Sequence, residues 1–254
     1  MQTPQFVLIR GLLRDARHWG EFKHVLQRRF PRARILTPDI PGNGKLNHLT
    51  SPKTIADMTE ALRGQIGQQQ GLRLIAISMG GMIAIDWMTR YPDEVRSAVL
   101  INTSLKNFSP FYHRLRWTAY PRVAKMILTA ILQKKIDIEA DILALTSNCH
   151  GGDQKLLSCW QRWQQQHPVS LSNAIHQCLA AASFTNLLRL NRPVLVITSM
   201  ADRLVDYHCS ARLARVLQTD YVQHATAGHD LPLDEPEWLV NAIGAWLHSH
   251  KADR

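Results

Sequence analysis

Three residues of the types that carry out acyl chemistry together stand far apart in the chain. They are Ser78 in "LIAISMGG", Asp202 in "TSMADRLVD" and His229 in "TAGHDLPLDEP". A serine hydroxyl is a poor nucleophile at neutral pH. It attacks a carbonyl when an adjacent imidazole takes its proton, and the imidazole works best when a carboxylate fixes its tautomer. Each of the three follows a short apolar run of strand type, in the order serine, acid, histidine. Other carboxylates are open to the acid role on position alone. Asp206 is read instead as the cap of a following helix, Asp230 as pointing away from a histidine that faces the serine, and Asp234 as a cap of the last helix. His18, His48, His113, His208 and His224 lack a comparable strand-end setting, although His113 lies where it would line a pocket.

Ser78 turns a corner. "LRLIAI" reads as a buried strand and "GGMIAIDWM" as a helix, with no ordinary loop between them. So tight a turn strains its central residue and needs small neighbours, here Ala76, Gly80 and Gly81. The pattern is G-x-S-x-G with alanine in the first glycine position. It projects a hydroxyl above the carboxyl end of a sheet, where open α/β sheets bind ligands. The amides that follow, at a helix N-terminus, would face a developing oxyanion.

The elements needed to hold these residues can be read along the chain. Strand-like runs occur at 5–11, in "RARILTPDIPG", at 72–78, 97–104, 192–199 and 221–227. Helical patterns lie between most of them. One begins near Ser51 and Pro52 as cap and first turn, and the last is "DEPEWLVNAIGAWLHSH". This alternation predicts an α/β fold, a mostly parallel sheet of about six strands with helices on both faces. It breaks over 105–190, where about four helices and no strand are expected. That stretch reads as a helical cap inserted into a core made of 1–104 and 191–254.

Composition narrows the partners. The chain has 254 residues, 45% of them hydrophobic, enough for a well-buried core. Its formal charge of +10 favours acidic partners, although a generally basic surface explains it equally well. No nucleic-acid motif accompanies that charge, so nucleic acid is not expected. The opening "MQTPQFVLIRG" lacks a signal-like segment, and no apolar run is long enough to span a membrane. Cys149, Cys159, Cys178 and Cys209 have neither metal-ligand nor disulfide-scaffold spacing, which points to a reducing cytoplasm. No metal or cofactor is expected.

With these residues in hand, the sequence resembles the α/β-hydrolase fold family over nearly its whole length. "AISMGG" matches the nucleophile elbow, "SMADRLVD" the acid loop and "AGHDLPLDEP" the histidine loop. "PDIPGNGK" resembles the family segment D-x-P-G-x-G at Asp39, Pro41, Gly42 and Gly44. "RGLL" stands where the family has His-Gly-x. The resemblance therefore implies an oxyanion hole made by the backbone amides of Leu12 and Met79, and a compact member lacking the family's first antiparallel strand pair. Arg10 replaces the usual histidine, and would either reach an anionic substrate group or ion-pair locally. Asn43 replaces a frequent histidine.

Within the family, the chain resembles small capped carboxylesterases, including the pimeloyl-acyl-carrier-protein methyl ester esterases. The resemblance implies a serine hydrolase acting on a small-molecule acyl ester through an acyl-enzyme. The alternatives are a thioesterase or acyltransferase, a C–C hydrolase, or a non-catalytic binding protein on the same scaffold. It also implies an acidic acyl carrier protein as partner. From Lys106 to Lys135 there are seven basic residues (Lys106, Arg114, Arg116, Arg122, Lys125, Lys134, Lys135) and no acid. Phe108, Phe111, Tyr112, Trp117, Tyr120, Trp160 and Trp163 are candidate pocket-lining residues, with burial in the cap as the plainer alternative.

Overall fold

The computed structural model describes residues 3–133, 138–187 and 190–250. The strands are β1 (Gln5–Ile9), β2 (Arg34–Leu36), β3 (Leu72–Ile77), β4 (Val95–Ile101), β5 (Val194–Ser199) and β6 (Asp220–His224). They form one six-stranded sheet in the order β2-β1-β3-β4-β5-β6, and every pairing is parallel. Successive side chains alternate between its faces, and both faces are apolar. Val7, Ile9, Leu74, Ala76, Leu100 and Val196 enter one core, while Phe6, Leu8, Ile75, Ile77, Val99 and Ile197 enter the other.

Helices cover both faces. α1 (Gly20–Arg29) and α11 (Pro236–Ser249) pack on one face through Phe22, Leu26, Leu239 and Ile243. On the other are α2 (Ile55–Ile66), α3 (Met79–Arg90) and α9 (His208–Leu217), with Met58, Leu62, Ile83, Trp87 and Leu213. The short α10 (Leu231–Asp234) precedes α11. The helix expected near Ser51 begins later, at Ile55. Thr54 caps it by accepting from the Asp57 amide at 3.1 Å, while Ser51 is buried and donates to the Pro41 carbonyl at 2.6 Å.

Between β4 and β5 the chain forms α4 (Phe111–Arg114), α5 (Tyr120–Gln133), α6 (Glu139–Thr146), α7 (Gln154–Gln166) and α8 (Leu171–Ser183), with no strand among the described residues. This helical cap region is fastened to the sheet layer by buried polar groups. Gln177 on α8 donates to Asn43 Oδ1 at 2.7 Å and Ser51 Oγ at 2.9 Å, and its own oxygen accepts from the Leu13 amide at 3.0 Å. Asn173, one turn earlier, accepts from the Ser51 amide at 2.9 Å and donates to the Leu49 carbonyl at 3.0 Å.

The strand order reverses direction between β1 and β3, so the loops leaving these neighbours diverge. Such switch points open a crevice at the carboxyl edge of the sheet. Here the two loops are Arg10–Leu13 and the Ser78 corner. Gly80 lets α3 pass close to β1, since a Cβ there would stand 2.4 Å from the Ile9 carbonyl oxygen. Backbone cannot swing aside as a side chain does. Gly80→Ala is therefore expected to lower stability by about 1–3 kcal/mol, as overpacked sites do. The check is a fall in the urea midpoint with an unchanged slope.

Candidate active site

Ser78 links β3 to α3 with φ 57° and ψ −123°, a conformation that costs a non-glycine residue on the order of 1–3 kcal/mol. Its neighbours fix it. The Ser78 amide donates to the Ile101 carbonyl at 2.9 Å, and Thr103 Oγ1 donates to the Ser78 carbonyl at 2.7 Å. Gly11 lies against it, since a Cβ there would meet Ser78 Cβ at 3.0 Å. Met79 opens α3, so its amide has no acceptor within the helix. Leu12 follows Gly11 and borders the same cavity as Ser78.

Asp202 and His229 meet. His229 Nδ1 and Asp202 Oδ2 are 2.6 Å apart, and both residues are buried. The other carboxylate oxygen accepts from the amides of Leu204 at 2.7 Å and Val205 at 2.9 Å. An acceptor so fully used fixes the carboxylate, and Nδ1 carries the hydrogen between it and the ring. Nε2 is then the nitrogen left with a lone pair. Ser78 Oγ makes no hydrogen bond to His229 among the described residues. The two residues meet instead as walls of one cavity of about 300 Å³.

Asn102 was not singled out from the sequence. It follows β4 at φ 47°, donates to the His229 carbonyl at 2.8 Å and accepts from the Ser199 amide at 2.8 Å. It thereby ties the histidine loop to the end of β5. A polar residue directly after a buried strand was its one signal.

The rival carboxylates have other work. Asp206 does not occupy the cap of α9, which is Tyr207. It lies one residue earlier and accepts from the His208 amide at 3.0 Å, with His208 Nδ1 2.6 Å from the same oxygen. Asp234 does not cap the last helix. Its carboxylate accepts from Ser147 Oγ at 2.5 Å, the Asn148 amide at 2.9 Å and the Gly228 amide at 2.7 Å, joining the histidine loop to the turn after α6. Asp230 pairs with Arg10 at 3.0 and 2.6 Å, both side chains buried. Arg10 thus ion-pairs locally. Burial alone would raise the Asp230 pKa, but the Arg10 charge and its bonds hold it below the ordinary value.

The cavity walls differ from expectation. None of the seven aromatic candidates borders it. Its cap side is aliphatic, with Leu115, Val123, Met126, Ile142, Leu145 and Ala174 among its lining. Phe111 and Trp117 are 74% and 73% exposed, and Trp160 is buried beneath the Arg14 guanidinium. His113 stacks on His208 instead of lining the pocket. Most described members of the basic stretch are engaged. Arg114 donates to the carbonyls of Ala181 and Ala182, Arg116 to the Asp202 carbonyl, and Arg122 and Lys125 pair with Asp141. Lys134 and Lys135 lie outside the described residues.

Asn43 donates to the Arg14 carbonyl at 3.0 Å and so steadies the loop carrying Leu12. Asp39, in the D-x-P-G-x-G segment, accepts from the Ala16 and Lys45 amides, with burial raising its pKa. No group of side chains suited to hold a metal ion occurs among the described residues, and none of their helices is long and apolar enough to cross a membrane.

With the fold and this geometry described, comparison with known proteins gives the family. The model of the alpha/beta hydrolase family matches residues 6–242, and the chain belongs to that family. A homoserine O-acetyltransferase of Deinococcus radiodurans is 27% identical over 222 residues, covering 78% of this chain and 64% of that protein. A pimeloyl-[acyl-carrier protein] methyl ester esterase of Chromobacterium violaceum is 31% identical over 108 residues, covering 41% and 38%. Matches to the curated relatives span between 18% and 64% of those proteins' lengths. Among solved structures, an aryl esterase, so far putative, from Burkholderia cenocepacia superposes with a TM-score of 0.78 at 19% identity, covering 99% of this chain and 92% of that one.

A buried histidine gives this region a pH dependence. His18 lies 2.9 Å from Arg14 Nη1 and edge-on to Trp160 and Trp163 of α7. Burial, then the Arg14 charge, lowers its pKa below 6.5. The unfolded chain therefore binds this proton first. Stability from a neutral His18 is full above pH 6.5 and is lost as pH falls through the lowered value. The urea midpoint should decline between about pH 7 and pH 5, above the range where carboxylates titrate. His18→Gln should flatten that decline.

Proposed function

We propose that this chain is a serine hydrolase that cleaves a carboxylic ester through a covalent acyl-enzyme. Ser78 is the nucleophile, His229 the base and Asp202 the acid that orients it. The supporting observation is the buried 2.6 Å His229–Asp202 contact beside a cavity that Ser78 shares. His229 Nε2 takes the Ser78 proton as Oγ bonds to the acyl carbon. The Leu12 and Met79 amides receive the oxyanion. The intermediate collapses, and the alcohol leaves with the proton from Nε2. Water then attacks by the same route, releasing the acid and restoring Ser78. The aliphatic cavity favours an apolar acyl group. The division into a core of 1–104 and 191–254 with a cap of 105–190 belongs to this reading. So does a cytoplasmic setting, on the free thiols of Cys149, Cys159, Cys178 and Cys209.

A fluorophosphonate should label a single peptide containing Ser78, and Ser78→Ala should abolish labelling. Asp202→Asn should leave the fold intact but lower turnover of p-nitrophenyl esters by orders of magnitude, about 10⁴ in a serine-protease case. Persistent labelling of Ser78→Ala, or near-normal turnover in Asp202→Asn with loss in Asp206→Asn, would contradict these roles.

Acyl transfer to an alcohol is the second reading, favoured by the acetyltransferase named among the relatives. The same acyl-enzyme then meets an acceptor hydroxyl instead of water. Product analysis with and without homoserine separates the two, since a transferase yields the new ester in preference to free acid.

An acidic acyl carrier protein is the proposed partner of the cap, supported by the esterase relative. Arg114 and Arg116 are spent on backbone carbonyls, so the exposed Lys106, Arg122 and Lys125 are the residues to probe, the last two sharing Asp141 as a carboxylate partner. Replacing these three with Glu should lower kcat/KM severalfold for a carrier-linked ester and little for a p-nitrophenyl ester. Salt should narrow the difference, because exposed charges are screened within about 8 Å.

A further inference from the structure

The Arg10–Asp230 pair joins two loops that the proposed reaction needs to hold in register. Arg10 immediately precedes Gly11 and Leu12. Asp230 immediately follows His229. The pair is bidentate, at 3.0 and 2.6 Å, and each side chain is nine-tenths or more buried. Both ends are anchored independently. The Arg10 guanidinium lies 5.0 Å from the centre of the Trp19 ring. The Asp230 amide donates to the Thr146 carbonyl at 2.8 Å, and the Asp230 carbonyl accepts from Leu233 and Asp234. Both residues border the cavity shared by Ser78 and His229.

We propose that Arg10 and Asp230 are positioning residues of this centre, which clamp the Leu12 loop to the His229 loop and cancel each other's charge beside the imidazole. The inference rests on the assignment of Ser78, Asp202 and His229 made above. During turnover the imidazole becomes a cation twice. Asp202 is placed to stabilise that cation. A second bare carboxylate next to the ring would stabilise it further and hold the base in its protonated, useless form at neutral pH. A bare guanidinium would oppose protonation and slow proton transfer from Ser78. Only the neutral pair leaves Asp202 in control. The charged groups on the elements packed around His229 are Asp202, Asp230, Arg10, Asp234, Arg14 and Arg116. The Asp234 carboxylate accepts from the Gly228 amide at 2.7 Å, Arg14 lies on the same cavity wall and pairs with Glu139, and Arg116 of the cap donates to the Asp202 carbonyl at 2.9 Å. His18 acts on Asp230 only where it is protonated, below its lowered pKa.

The buried strap also explains why an arginine can stand at this position. A guanidinium cannot be neutralised by losing its proton, so its burial requires a fixed carboxylate. Asp230 is held by the first turn of α10 in the one place that supplies it.

The test reads the rate of fluorophosphonate labelling of Ser78 against pH, which reports the base without depending on a natural substrate. Asp230→Asn leaves Arg10 charged, and its acid limb should move to lower pH by on the order of one unit. Arg10→Gln leaves Asp230 alone, and its acid limb should move the opposite way. Arg10→Met combined with Asp230→Asn removes both charges, so the limb should return to the wild-type position while the maximal rate stays low. Arg10→Lys keeps the charge and should keep the limb, again with a lower maximum. Near-UV circular dichroism checks that each variant is folded, and Arg10→Gln carries the test should Asp230→Asn not fold. A merely structural strap would lower rates in every variant with no movement of the limb, and that result overturns the inference while leaving the Ser78 assignment intact. Absence of Ser78 labelling in the wild-type protein overturns the assignment itself, and this inference with it.

Discussion

The backbone of Ser78 is the constraint on which the rest of the site depends. A serine at φ 57° and ψ −123° does not stay there unaided. Its amide and carbonyl are both bonded, to Ile101 and Thr103 at the end of β4. Its helix can start so abruptly because Gly80 clears the Ile9 carbonyl and Gly81 clears the Thr103 side chain. β4 therefore does more than fill the sheet. Its last residues brace the corner, and Asn102, one position beyond, carries the histidine loop. The other positive-φ residues beside the site, Leu13 and Asn102, are fixed in the same way, by Gln177 and by a set of bonds to β5 and His229. Local strain persists because each strained residue is bonded to an element that is itself buried.

The cap is joined to the core by buried polar contacts as well as by apolar ones such as Ala180 and Leu105. Gln177, Asn43, Ser51 and Asn173 form a continuous buried network, and Arg14 pairs with Glu139 of α6 at 2.6 Å. Apolar packing would hold the cap at many similar angles. A network of buried donors and acceptors holds it at one, because a small slip leaves several of them unsatisfied, at about 1–3 kcal/mol each. The bond from Gln177 to the Leu13 amide carries that precision into the loop bearing Leu12. Cap placement and the candidate oxyanion site are thus coupled through one amide side chain.

Much of this was legible in the sequence, for physical reasons that can be named. The inner strands could be read because a parallel sheet covered on both faces buries nearly continuous apolar runs, as in β3 and β5. The corner could be read because few residues besides glycine and alanine fit on either side of so tight a turn. The order Ser78, Asp202, His229 followed from strand ends, and the structure places Asp202 against His229. What failed had no periodic signal. Ser51 and Thr54 are equivalent as caps by type, and only burial against α8 separates them. Asp234 was one of several acids near a helix start, and its three acceptor bonds run to segments distant in the chain. The aromatic residues of the cap matched a pocket lining by type, yet Trp160 serves as a base for Arg14 and Trp117 faces outward. Arg114 and Arg116 counted as free charge in a tally of residues, but backbone carbonyls 67 and 86 positions away occupy them.

These placements change what the charge of the chain can mean. Of the cations near the cavity, Arg10 and Arg14 are each matched by a buried carboxylate, and Arg116 is spent on a carbonyl. The cavity therefore has hydrocarbon walls on the cap side and the paired charges of Arg10 and Arg14 toward the sheet. In the proposed reaction an apolar acyl group would enter such a space by desolvation, and its carbonyl would meet the Leu12 and Met79 amides where it reaches Ser78. The net positive charge of the protein acts elsewhere, at exposed positions such as Lys106, Arg122 and Lys125. There it would bias the approach of an acidic partner without disturbing the chemistry proposed inside. Under the proposed function, binding of the acyl group and docking of an acidic carrier would fall to different residues, and each could change without the other.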